Sequence, residues 1–89
     1  MAKQRKATIN WEAIVRSEMH PLKVKIIDLL ASGGEYSPMM MHKELGDKLG
    51  NVSYHVRALL DAEMIELVRI EPRRGAVEHF YRATSKLRS

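Results

Sequence analysis

One short run of the chain brings together side chains suited to reading a polar surface: Gly50-Asn51, then Tyr54, then Arg57. An amide can pair bidentately with adenine and a guanidinium with guanine. A glycine lets backbone come close to a groove floor or a phosphate. Lys48 and Ser53 flank this set as candidate phosphate contacts. Further on, Arg73-Arg74 stands before Gly75 with no apolar neighbours to pack on, which suits it to phosphate or to a minor groove. Lys3, Arg5 and Lys6 form a basic start, readable as a minor-groove arm or as a plain disordered tail. The plain alternatives for the other two groups are a solvated helix face and a charged turn that keeps the chain soluble.

Other chemistries lack their parts. The chain has no cysteine, which excludes disulfides, thiolate zinc sites and cysteine nucleophiles. His20, His42, His55 and His79 include no pair at the i, i+4 spacing of a helical metal site, so they read as structural or surface residues and no metal is expected. No nucleophile elbow, phosphate-cradling glycine loop or catalytic carboxylate pair is present, and Gly33-Gly34 is accounted for as a helix stop. Ser37 and Ser53 have capping and helix-face explanations. The expectation is a protein that is not an enzyme and needs no cofactor.

The elements that must position these residues follow from periodicity and punctuation. Asn10 can cap a helix from Trp11 to about Met19, with Trp11, Ile14 and Val15 on one face. His20-Pro21 opens a second helix over about 21–32, striped by Leu22, Ile26, Leu29 and Leu30, with Val24 and Ile27 widening the buried face. Ser37-Pro38 opens a third over about 38–46, whose core pair is Met41 and Leu45 and which Gly46 closes. Met39-Met40-Met41 reads as partial core plus exposed filler. The fourth, about 48–62, buries Val52, Val56, Leu59 and Leu60. A 100° step per residue then turns Gly50, Asn51, Tyr54, Arg57, Ala58 and Asp61 outward, with Ser53 on the flank.

Two short helices joined by a tight, glycine-containing turn make a helix-turn-helix. The period then drops to two. Ile65–Ile70 reads as one strand and Val77–Ala83 as another, with Val77, His79, Tyr81 and Ala83 alternating against Glu78, Phe80 and Arg82. Residues 71–76 form the hairpin tip, and a hairpin after a helix-turn-helix is a wing.

The charge layout agrees with this division. Overall the chain carries +4, yet residues 10–66 hold six Lys/Arg against nine Asp/Glu, while the flanks hold nine against two. A near-neutral body with basic extremities is an electrostatic footprint for a polyanion, or else a body with solubilising tails. No apolar run approaches the length of a membrane span and the basic N-terminus lacks a following apolar stretch. With no cysteine, this fits a cytoplasmic protein with no membrane partner.

Three stretches carry a family likeness: His20-Pro21-Leu22-Lys23-Val24 with Ser37-Pro38, Leu49 through Leu59, and Arg74 through Thr84. Together they resemble the ArsR-like winged-helix repressors, in the branch whose recognition segment reads Leu-Gly-Asn-Val-Ser-Tyr-His-Val. Metal-sensing members carry cysteines in the helix matched by residues 38–45, and this chain has none. Many members also continue past the wing into a long helix that shares the dimer contacts with the first, whereas this chain ends at Ser89.

The expectation is therefore an α+β winged helix-turn-helix of four helices followed by a two-stranded hairpin. Residues 1–9 are a basic arm, 10–84 the domain and 85–89 a basic tail. The domain is expected to bind double-stranded DNA as a repressor-type regulator, with helix 48–62 in the major groove and wing 71–76 on the backbone or minor groove. The expected contacts are Lys48, Gly50, Asn51, Ser53, Tyr54, Arg57, Arg73 and Arg74. One such module offers little DNA interface, so a homodimer through Trp11, Ile14 and Val15 is expected. The rival is a winged-helix module turned to protein contact, which the acidic body favours.

Overall fold

The computed structural model describes residues 20–87. Among them, helices α1 (Pro21–Ala31), α2 (Pro38–Leu45) and α3 (Leu49–Asp61) are followed by strands β1 (Ile65–Arg73) and β2 (Ala76–Ala83). The expected helix from Trp11 to about Met19, with Trp11, Ile14 and Val15, lies outside the described residues, as does the arm over 1–9. Among the described residues the structure shows three helices and a hairpin. None of these helices is long and apolar enough to cross a membrane.

Local chemistry explains the starts of α1 and α2 and the end of α2. His20 is extended and its Nδ1 accepts the Leu22 N–H at 3.2 Å, ahead of Pro21 in the first turn. Ser37 does the same for α2, its hydroxyl accepting the Met40 N–H at 3.2 Å. Gly46 closes α2 in the left-handed region at φ 76°, donating to the His42 carbonyl at 2.9 Å. The turn into α3 is then held from both sides. His42 Nδ1 donates to the Asp47 carbonyl at 2.6 Å, and Lys25 Nζ on α1 reaches the Asp47 carboxylate at 3.2 Å.

The core is one cluster drawn from every element. Leu22, Ile26, Ile27 and Leu30 come from α1, Met41 from α2, and Val52, Val56 and Leu59 from α3. Met64, Ile65 and Ala83 join from the sheet side. Leu87 is also fully buried in this cluster, so the packed unit reaches past the boundary expected after residue 84. The return is made by Thr84, whose N–H bonds the Met64 carbonyl at 3.0 Å and whose hydroxyl donates to the Glu63 carbonyl at 2.7 Å.

The hairpin is longer and tighter than the pattern suggested. Both strands run past the expected ends, and only Arg74 and Gly75 form the tip, at φ 36° and 81°. Positive φ at both central residues is the twist-matched two-residue hairpin turn. The register shifts between Leu67 and Arg69, which leaves Val68 as an extra residue. This bulge brings Ile70 and Pro72 opposite His79 and Val77, and Arg69 and Glu71 opposite Phe80 and Glu78. Phe80, expected on the polar side, is accordingly buried, with the Arg69 guanidinium 4.1 Å over its ring.

If Leu87 is core and not tail, Leu87→Ala should lower the unfolding free energy by about 2–4 kcal/mol. Denaturant titration followed by circular dichroism reads this directly. A change below about 0.5 kcal/mol would place Leu87 on the surface.

Candidate nucleic-acid interface

Helix α3 is anchored on one side only. Val52, His55, Val56 and Leu59 are buried, while Gly50, Asn51, Ser53, Tyr54, Arg57 and Asp61 are exposed. The outward row expected from the 100° step is thus where the structure places it, apart from Ala58, which is half-buried. Tyr54 keeps 68% of its surface free, and neither it nor Arg57 spends a polar atom on another described side chain. Rigid helix backbone therefore presents an amide, a phenol and a guanidinium to solvent in successive turns.

The first turn of α3 differs from those of α1 and α2. Lys48 is its N-cap, extended at φ −62° and ψ 140°, and makes no side-chain capping bond. The opening N–H groups keep the positive end of the helix dipole without a capping side chain to accept from them, as a phosphate contact would require. Gly50 sits in this turn. A Cβ there would meet nothing within 4 Å, and its φ is not positive, so the fold itself makes no demand for glycine.

The far side of α3 is locked by aromatic packing. His55 is buried, and its ring lies 4.5 Å from that of His20, the N-cap of α1. Tyr54 meets the His55 ring edge-on at 5.1 Å. The role of His55 went unrecognised in the sequence, where it fell between the apolar stripe and the polar face. The other histidines also have structural contacts: His42 closes the helix-turn-helix turn and His79 stacks on Tyr81 at 6.5 Å. No group of three His, Cys, Asp or Glu able to hold a metal stands among the described residues.

The two wing arginines differ in circumstance. Arg74 is exposed at the tip and makes no ion pair or hydrogen bond among the described residues. Arg73 is engaged, its Nε donating to Glu78 at 2.8 Å while a terminal nitrogen lies 3.7 Å from Glu71. Glu71 also takes the Arg69 guanidinium at 2.6 Å, and Arg69 reaches on to Glu35. The hydrogen bond to Glu71, and with it that to Glu35, hold the Arg69 guanidinium above its ordinary pKa. This ladder attenuates the basic wing expected from composition.

Between α2, α3 and the wing lies an open cleft of about 610 Å³. Met39, Met40, Leu49 and Val77 supply its apolar lining, and Lys43, Ser53, Arg73 and His79 its polar one. Ser53 and Arg73 were among the expected site residues. Lys43 was missed, although two positions after the core residue Met41 on a helix is an outward position readable from spacing.

No family model and no curated protein sequence matches the chain. Among solved structures, its fold is similar to that of a cysteine-to-serine mutant of MarR from E. coli, with a TM-score of 0.65 at 15% identity over 83% of this chain. The chain spans 53% of that MarR chain's length. At this identity the likeness shows the winged-helix fold, which the ArsR-like resemblance also implied, and it does not single out the ArsR-like branch.

Because nothing crowds position 50, Gly50→Ala should raise the unfolding free energy by roughly 0.5–1 kcal/mol through helix propensity alone. A thermal melt that shows destabilisation instead would reveal a structural need for glycine that the backbone does not display.

Proposed function

We propose that the chain is a sequence-specific, double-stranded-DNA-binding transcription regulator of the repressor type. Helix α3 enters the major groove through Asn51, Tyr54 and Arg57, Gly50 allows close backbone approach, and Lys48 and Ser53 take phosphates. The wing tip follows the backbone into the adjacent minor groove with Arg74 leading. The observation that carries this reading is the exposed, uncommitted row on α3, whose opposite face is bound into the core. The winged-helix likeness to MarR supports it. The working unit is a homodimer held by the segment around Trp11, Ile14 and Val15, because a single module supplies only about 600–1,000 Å² of DNA interface. Two-fold pairing then calls for half-sites about one helical turn apart or a multiple of it. A cytoplasmic location goes with this role.

The second reading, a module for protein contact, draws on the wing's exposed apolar residues. Leu67, Ile70 and Val77 keep 45%, 50% and 57% of their surfaces free. A large apolar exposure on a small hairpin is the mark of a partner surface.

Mobility shift on random and selected duplex at two salt concentrations separates the two. Asn51→Ala, Tyr54→Ala or Arg57→Ala should weaken cognate binding by roughly 1–3 kcal/mol wherever a base contact is lost, with non-specific binding little changed. Arg74→Ala should weaken all duplexes alike and flatten the slope of log K against log salt by about 0.9. Unaltered specificity in all three helix variants, with native circular dichroism, would remove α3 from the readout and favour the protein-contact reading.

A further inference from the structure

The carboxylate of Glu78 is shared between two partners that belong to different parts of the fold. One oxygen accepts the hydroxyl of Ser37, which is fully buried and whose oxygen in turn accepts the Met40 N–H at the start of α2. The other oxygen takes Arg73 Nε at 2.8 Å. The Glu78 side chain is 17% exposed, against 60% for that of Arg73. The arrangement is a relay: the helix fixes the serine, the serine fixes the carboxylate, and the carboxylate fixes the inner edge of the guanidinium. Antiparallel pairing of Tyr36 with Tyr81, at 3.0 and 2.9 Å, keeps the two parts in register beside it.

With Nε held, the terminal nitrogens of Arg73 are left for a ligand, apart from the 3.7 Å approach to Glu71. Arg73 lines the same cleft as Lys43 on α2 and Ser53 on α3. Two cations and a hydroxyl along an open cleft suit a phosphodiester, whose two free oxygens match the guanidinium fork. The one carboxylate in that lining, among the described residues, is Glu78, and both of its oxygens are already engaged.

We infer that Glu78 is a positioning residue, holding Arg73 so that it and Lys43 receive a backbone phosphate of duplex DNA in the cleft between α2, α3 and the wing. The inference rests on the DNA-binding reading above and names how that site seats the backbone. It carries an unusual sign. Taking a carboxylate away from a surface that meets a polyanion should tighten binding by simple electrostatics. If Glu78 positions Arg73, taking it away weakens binding.

The test is duplex affinity at two salt concentrations for wild type, Glu78→Gln, Arg73→Ala, the double variant and Lys43→Ala. Glutamine keeps the volume of the side chain and one accepting oxygen for the Ser37 hydroxyl, but its amide nitrogen offers the guanidinium neither an acceptor nor a charge. Glu78→Gln should weaken random-duplex binding about two- to fivefold, the range of one exposed ion pair. In the Arg73→Ala background the same change should tighten binding or leave it unaltered. Lys43→Ala should flatten the salt slope by about 0.9. Tightening by Glu78→Gln in the wild-type background, or equal effects in both backgrounds, would overturn the positioning role while leaving DNA binding intact. Should the glutamine variant melt early, Arg73→Lys tests the same point. It keeps the charge but loses the Nε–H and the fork, so it should bind more weakly than wild type, and wild-type affinity would refute the relay. A wild type that binds no duplex at either salt overturns the function and the relay together.

Discussion

The one-sided burial of α3 is the constraint from which the rest of the arrangement follows. Val52, Val56 and Leu59 lie at 0–3% exposure in the common core, and each such side chain contributes roughly 1.5–3 kcal/mol by leaving water. Rotating the helix to hide Asn51, Tyr54 and Arg57 would forfeit several kcal/mol and strand polar groups in the core. The helix therefore has no freedom to turn its polar row away. The short turn at Gly46 and Asp47 fixes its entry, and the His20–His55 contact fixes its rear. A rigid helix face beside a groove is what base-edge readout requires, since misplacement by a fraction of an ångström costs hydrogen bonds.

The base of the wing is packed into the core through Ile65 and Ala83, and beyond that base a few polar contacts tie it to the frame. The Tyr36–Tyr81 bridge and the Ser37–Glu78 hydrogen bond join it to the start of α2, while its far half is solvent-exposed. The Val68 bulge sorts the strand faces, collecting Arg69, Glu71 and Arg73 with Phe80 and Glu78 on one side and Leu67, Ile70 and Pro72 with the other aromatic and apolar residues on the opposite side. Most of the wing's positive charge is neutralised within the ladder, and Arg74 is left at the tip. The basic flank counted from composition is thus a poor measure of the charge available to a polyanion. Pairing decides it.

Much of this was legible in the sequence because the signals were local. Ser37-Pro38, His20-Pro21 and Gly46 announce helix ends through their own side chains and dihedrals, and the offsets of Val52, Val56 and Leu59 set the face of α3 without reference to anything else. What escaped depends on distant contacts. The expected tip over 71–76 hid a turn of only two residues, Arg74-Gly75, so the register that sets Arg73 beside Glu78 could not be read from the alternating pattern. Leu87 looks like an isolated apolar residue in a basic tail until Thr84 turns the chain back on Met64. His55 reads as polar by type, yet is buried by its contact with a residue more than thirty positions away.

DNA binding of the proposed kind requires that duplex meet the exposed row of α3 and the wing tip. Amide chemical-shift mapping of the whole chain during titration with a duplex decides this without needing the operator. The largest changes should fall on Lys48 through Tyr54, on Arg57 and on Arg74, with the exposed Asp28 of α1 unmoved. Changes centred on Leu67, Ile70 and α1, or a spectrum that does not respond to duplex at low salt, would contradict it.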